Sequence, residues 1–173
     1  MSKYGIDYVR IRLELDRRVL SDYPIRTPED AVMFLSEQMK DLDREVLAVV
    51  DLAPDGRPVN MTMASVGTLK AAIAEPRELY KAAILCNADS ILLAHNHPSG
   101  ALEASSHDVD ITNRIIECGK ILGIPLVDHV IIAGYTGMYR SLREDHLCDF
   151  EQVNLSMAAE ERSRYMAKKT CRL

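Results

Sequence analysis

No apolar run in this sequence approaches the length of a membrane span. Its first residues, Met1-Ser2-Lys3-Tyr4-Gly5-Ile6-Asp7, lack the long apolar core of a secretory signal. Both absences argue against a membrane protein, and a cytoplasmic location is the expectation. Cysteine is scarce. Cys86, Cys118, Cys148 and Cys171 form no C-x-x-C pair and no metal-like spacing. Cys86 and Cys118 fall within apolar helical patterns and read as small, reduced core residues. Basic charge is in deficit, with 21 Lys and Arg against 26 Asp and Glu and a net charge of −5, which works against nonspecific binding to phosphates. Helix-turn-helix and zinc-finger spacings are missing, and the two small basic groups (Arg10, Arg12, Arg17, Arg18; Lys168, Lys169, Arg172) read as solvated surface. There are no internal repeats and no low-complexity segment. What remains is ordinary globular usage, 47% apolar and 27% charged over 173 residues, enough for one domain with a real core.

The periodicities predict a mixed set of elements. Val9, Ile11, Leu13 and Leu15 alternate with Tyr8, Arg10, Arg12 and Glu14, the pattern of a half-buried strand. Thr27-Pro28-Glu29-Asp30 is a helix start, followed by Val32, Leu35, Met39 and Leu42 at helical spacing. Glu45 to Leu52 is apolar after its first residue and reads as a central strand. Pro54-Asp55-Gly56 is a turn into a second, antiparallel strand through Val59, Met61 and Met63, whose methionines read as core. A helix is expected from about Pro76 to Cys86, then a buried strand, Ser90 to Ala94. Ser105 opens another helix with Ile111, Ile115, Cys118 and Leu122 on one face and Gly123 as its C-terminal cap. Leu126 to Ala133 and Met138 to Leu142 complete the strands. The expected class is α/β in the α+β sense, a mixed β-sheet flanked by helices. Residues 1–150 form the expected domain, and 151–173 an added tail of helical composition.

The most informative stretch is His95-Asn96-His97-Pro98-Ser99-Gly100, followed by Ser105 and Asp108. Residues two apart on a strand share a face, so His95 and His97 would stand side by side at the strand's end, roughly 6–7 Å apart at Cα. Two imidazoles so placed can converge on one ion, with Asp108 returning from the next segment as a third ligand. Three protein ligands with an open fourth position describe a catalytic zinc site. Ser105-x-x-Asp108 also reads as a capping box, with Asp in place of Glu or Gln. The two readings are compatible, because a helix starting there would hold the carboxylate still.

The H-x-H-P-x7-S-x-x-D pattern resembles the JAMM (Jab/MPN) zinc metalloprotease motif, and the wording is closest to its RadC-like bacterial branch. The matching stretches are Asp43-Arg44-Glu45, Ser65 to Leu69, Pro76-Arg77-Glu78, His95 to Gly100 and Gly123 to His129. The resemblance runs from about Tyr8 to Arg143 and implies a JAMM/MPN, cytidine-deaminase-like architecture. Ala101-Leu102-Glu103-Ala104 departs from the branch, which has proline and acid after the glycine, and a domain without the N-terminal helical extension of longer RadC-like proteins is the expectation.

The resemblance implies a zinc-dependent hydrolase that cleaves a peptide or isopeptide bond, with His95, His97 and Asp108 as metal ligands and Glu45 as the general base. Glu45 heads the strand Val46 to Val50, as the JAMM glutamate does; a solvated residue beside Arg44 is the plainer alternative, and Glu75 and Glu78 are competitors for the role. Ser105 matches the serine that JAMM proteins use toward the oxyanion. Asn96 points to the opposite strand face and reads as a loop-fixing hydrogen bonder. His107 is expected to face solvent. Asp128 is open between orienting a ligand imidazole and bonding to backbone. A DNA-repair or nucleic-acid-associated accessory protein with a zinc site is the alternative function. A metal-binding scaffold without turnover is weaker still, because the ligand set is complete.

Overall fold

Three of the apolar runs become the centre of one sheet. In the computed structural model, which describes residues 9–39, 41–67 and 75–150, β1 (Val46–Leu52), β3 (Ser90–His97) and β4 (Leu126–Ala133) lie side by side and are buried on both faces almost without interruption. That two-sided burial is why they read as continuous apolar segments. β2 (Pro58–Val66) pairs antiparallel with β1, and β5 (Met138–Ser141) antiparallel with β4, giving the order β2-β1-β3-β4-β5. β1 and β3 are antiparallel, whereas β3 and β4 are parallel and joined through a helix. The sheet is therefore mixed, as expected.

Helices cover both faces. α1 (Pro28–Met39) packs Ala31, Val32, Phe34, Leu35 and Met39 against Ala48, Val50, Leu92 and Ile132. Its start is a capping box: Thr27 Oγ1 accepts from the Asp30 N–H, and Asp30 Oδ2 accepts from the Thr27 N–H. The other face carries α2 (Pro76–Leu79), α3 (Lys81–Cys86) and α4 (Ser106–Leu122), with Leu79, Tyr80, Ile111 and Ile115 against Leu47, Val49, Leu93 and Leu126. Among the described residues no helix is long and apolar enough to cross a membrane.

Three expectations need correction. The alternation from Val9 to Leu15 forms no strand, and Val9, Ile11 and Leu15 are more than 70% exposed. Alternation shows which face a strand would bury, but burial requires a partner, and among the described residues this segment pairs with neither sheet edge. The helix expected from Pro76 to Cys86 is two pieces that meet at Tyr80, whose φ and ψ are −90° and −7°. Leu79 and Tyr80 are both buried there, and the Tyr80 hydroxyl reaches the carbonyls of Ile115 and Ile124 at 3.0 and 3.2 Å, tying the break to the end of α4. Met61 packs on the core, but Met63 is exposed, because β2 is an edge strand. The expected tail, 151–173, lies outside the described residues. Cys86 and Cys118 are half-buried free thiols on the second core.

Asp51 is a buried carboxyl within β1. Its Oδ1 has no hydrogen-bond partner among the described residues, and its Oδ2 receives a weak bond from the Cys86 thiol at 3.7 Å. Burial pushes its pKa up from 3.8 to about 6. The folded state then holds this proton more tightly than the unfolded chain, so stability falls as pH rises through the window from about 4 to about 6. Asp51→Asn is expected to exceed the parent in stability at pH 7 by up to about 3 kcal/mol, because each tenfold difference in proton affinity between the two states is worth ~1.4 kcal/mol. The advantage should shrink to nothing below pH 4. Thermal unfolding of both proteins across pH checks this; a difference that does not vary with pH would contradict it.

Candidate metal centre

The site forms where the C-terminal end of β3 meets the start of α4. β3 carries His95 and His97 to its end on the face covered by α4, because Leu93 and its same-face neighbours anchor the strand in that core. A turn closed by the Gly100 N–H on the His97 carbonyl reverses the chain. α4 then starts with a second capping box. Ser105 Oγ accepts from the Asp108 N–H at 3.2 Å, and Asp108 Oδ2 accepts from both the N–H and the hydroxyl of Ser105, each at 2.7 Å. The cap fixes one carboxylate oxygen and aims the other, Oδ1, at the histidines. At the far end Gly123, with φ +68°, is the expected left-handed cap.

His95 Nε2 lies 2.9 Å from His97 Nε2 and 3.6 Å from Asp108 Oδ1. Tetrahedral ligands 2.0–2.1 Å from one ion would be about 3.3 Å apart, so these spacings bracket the value for zinc. The donor chemistry fits as well. His97 Nδ1 must donate to the Ala101 carbonyl at 2.9 Å, which leaves a lone pair on its Nε2. Asp108 Oδ1 is buried and has no hydrogen-bond partner among the described residues. A buried carboxylate oxygen with no partner, set against imidazole nitrogens, is stable only with a cation or proton between them. His95, His97 and Asp108 are a group able to hold a metal ion. His95 is fully buried, and burial pulls its pKa down to about 4, against the pull of Asp108 and with the push of His97. It is therefore neutral near pH 7, as a ligand must be.

Glu45 immediately precedes β1. Leu47 pairs with His95 at the end of that ladder, and Glu45 lies two residues before Leu47, so extended backbone there would put it on the face that carries the histidines. The backbone around it is held on three sides. Asn96 Oδ1 accepts from the Val46 N–H at 2.8 Å, Asn96 Nδ2 donates to the Arg44 carbonyl at 3.1 Å, and the Glu45 carbonyl accepts from the Gly67 N–H. Asn96 thus faces away from the histidines and fixes the neighbouring segment. The competing carboxylates are engaged elsewhere: Glu75 pairs with Arg114 and Glu78 with Lys81. His107 is exposed on the first turn of α4. The departure at Ala101 leaves the His97 contact intact, because that contact uses the main-chain carbonyl.

Asp128 does not reach a ligand. Its Oδ2 accepts from the Ser141 hydroxyl at 2.6 Å and its Oδ1 from the backbone N–H of His129 and Arg143, so the backbone-bonding alternative holds. The contact belongs to the next residue. His129 Nε2 lies 2.8 Å from His95 Nδ1, and His129 Nδ1 lies 2.6 Å from Thr112 Oγ1. Sequence reasoning gives neither His129 nor Thr112 a role. The available signals are the Asp-His dipeptide on a buried strand and a threonine one turn beyond Asp108.

A family model described as the RadC-like JAB domain matches residues 25–147. A UPF0758 protein of Caldanaerobacter subterraneus subsp. tengcongensis is 40% identical over 148 residues, 83% of this chain and 63% of its own length. One from Desulfitobacterium hafniense is 41% identical over 141 residues, 79% and 61%, and one from Clostridium tetani 40% over 137 residues, 76% and 59%. The chain thus spans under two thirds of the length of these curated relatives. A matching family model and relatives at this identity lead to one conclusion: the chain belongs to the RadC-like JAB domain family.

Proposed function

We propose that this protein is a zinc-dependent hydrolase that cleaves a peptide or isopeptide amide bond. The observation that carries the reading is the convergence of His95 Nε2, His97 Nε2 and Asp108 Oδ1, the last of them buried without a partner, beside the strand that presents Glu45. Zinc held by such a set lowers the pKa of water toward 7 and polarises a carbonyl. Glu45 serves as general base toward the attacking water and returns the proton to the leaving amine. Asn96 bonds to the main chain of its neighbours Arg44 and Val46, and the Gly67 N–H bonds to the Glu45 carbonyl; this fixed backbone supports the role. Ser105 is assigned to the developing oxyanion. It is exposed at the N-terminus of α4, where the helix dipole also favours negative charge. Its hydroxyl donates to Asp108 Oδ2 in the resting protein, so this role exchanges one acceptor for another.

A screen of zinc-loaded protein against peptide and isopeptide libraries tests the reading. Cleavage that stops with a chelator and returns with zinc is the expected outcome. Cleavage that survives complete metal removal would contradict it.

A further inference from the structure

We infer that His129 and Thr112 are positioning residues that hold the His95 ring in the one tautomer able to ligate a metal and tie it to Asp108. The inference rests on the metal-centre reading above, because a cation there decides between the two proton arrangements that the geometry allows. Thr112 Oγ1 lies 2.5 Å from the Asp108 carbonyl and 2.6 Å from His129 Nδ1, and it has one proton to give. If that proton goes to the carbonyl, His129 Nδ1–H donates to Thr112, His129 Nε2 accepts from His95 Nδ1–H at 2.8 Å, and His95 Nε2 carries a lone pair. If it goes to His129, every donor reverses and His95 Nε2 carries the hydrogen.

Each arrangement leaves one pair of acceptors facing each other. In the second the pair is the threonine oxygen and a carbonyl oxygen 2.5 Å apart within α4, where nothing relieves the repulsion. In the first the pair is His95 Nε2 and His97 Nε2, 2.9 Å apart beside Asp108 Oδ1, where a cation relieves it. The first arrangement is therefore the one coupled to metal.

The packing makes the same point. His129 pairs in register with Leu93 and is buried on the apolar face that holds Ile111 and Ile115. A leucine would fill that position without any hydrogen-bond demand, whereas an imidazole there costs desolvation unless both nitrogens are satisfied. Both are. The chain of bonds leaves β3 at His95, crosses β4 at His129 and ends on α4 at Thr112 and Asp108. It links two ligands that are 13 positions apart in sequence, and it ends on a neutral carbonyl instead of a carboxylate. His97 is held separately, by Ala101.

The test compares the parent with Thr112→Val and Thr112→Ser. Zinc affinity is read by competition with a chromophoric chelator, and nitrogen NMR of the zinc-loaded parent reads the His129 tautomer. The parent should show a proton on His129 Nδ1. Thr112→Val should bind zinc about 10–100-fold more weakly, the usual scale for losing an outer partner of a ligand, and Thr112→Ser should recover most of that. Should the valine variant fail to fold, as judged by its thermal transition, the tautomer of the parent still decides. A proton on His129 Nε2 in the zinc-loaded parent would overturn the inference. So would unchanged zinc affinity in a folded valine variant, while tight binding by the parent would leave the metal centre standing.

Discussion

Glu45→Gln is expected to keep its metal and to hydrolyse substrate about 10²–10⁴-fold more slowly, the usual scale for losing acid–base assistance. Glutamine preserves the size and the polar contacts of the side chain but takes up no proton at neutral pH. The three atoms able to hold a metal come from β3 and α4, and Glu45 comes from the head of β1, so the substitution leaves that set complete. The Asn96 and Gly67 anchors act on main-chain atoms and are indifferent to the change. Elemental analysis and turnover on the same preparation separate the two effects. Loss of metal without loss of fold would make Glu45 a ligand. An unchanged rate on a good substrate would remove it as the base.

Asp108→Asn is expected to abolish tight zinc binding with little loss of stability, whereas Asp108→Ala should lose zinc binding and some stability as well. Asn retains an acceptor for the cap at Ser105 but cannot supply an anionic oxygen in the place of Oδ1 as well. Ala removes the carboxylate that accepts two bonds from Ser105, at about 0.5–2 kcal/mol for a helix cap, on top of the ligand. The drop in zinc affinity for either variant should exceed the 10–100-fold tied to outer partners such as Thr112. Chelator competition and thermal unfolding, measured together, check the pair. An Asp108→Asn variant that retains zinc at parent affinity would show that the carboxylate serves only as a cap.

Much of the site was legible because its signals are local. The histidines sit two apart on one strand, and Ser105 and Asp108 are a helix start that also delivers an oxygen. The same locality explains the helix from Ser106 to Leu122 and its stop at Gly123. What could not be read depends on register between distant segments. His129 meets His95 only because β3 and β4 run parallel with Leu93 beside His129, an alignment across 34 residues that no short window contains. Asp128, its neighbour, points to the opposite face of the strand, which is why the adjacent residue made the contact instead. The segment from Val9 to Leu15 shows the converse error: its periodicity is that of a strand, but periodicity carries no information about an available edge. Tyr80 breaks a helix for a reason visible only in three dimensions, its hydroxyl reaching the end of α4.

Zinc stoichiometry tests the central claim most directly. The parent and the His95→Ala/His97→Ala double variant would be loaded with zinc, dialysed free of excess metal and analysed by plasma mass spectrometry, with circular dichroism confirming that both are folded. The account predicts one zinc per chain in the parent and none in the double variant. A folded parent without zinc, or a double variant that retains the full equivalent, would contradict it.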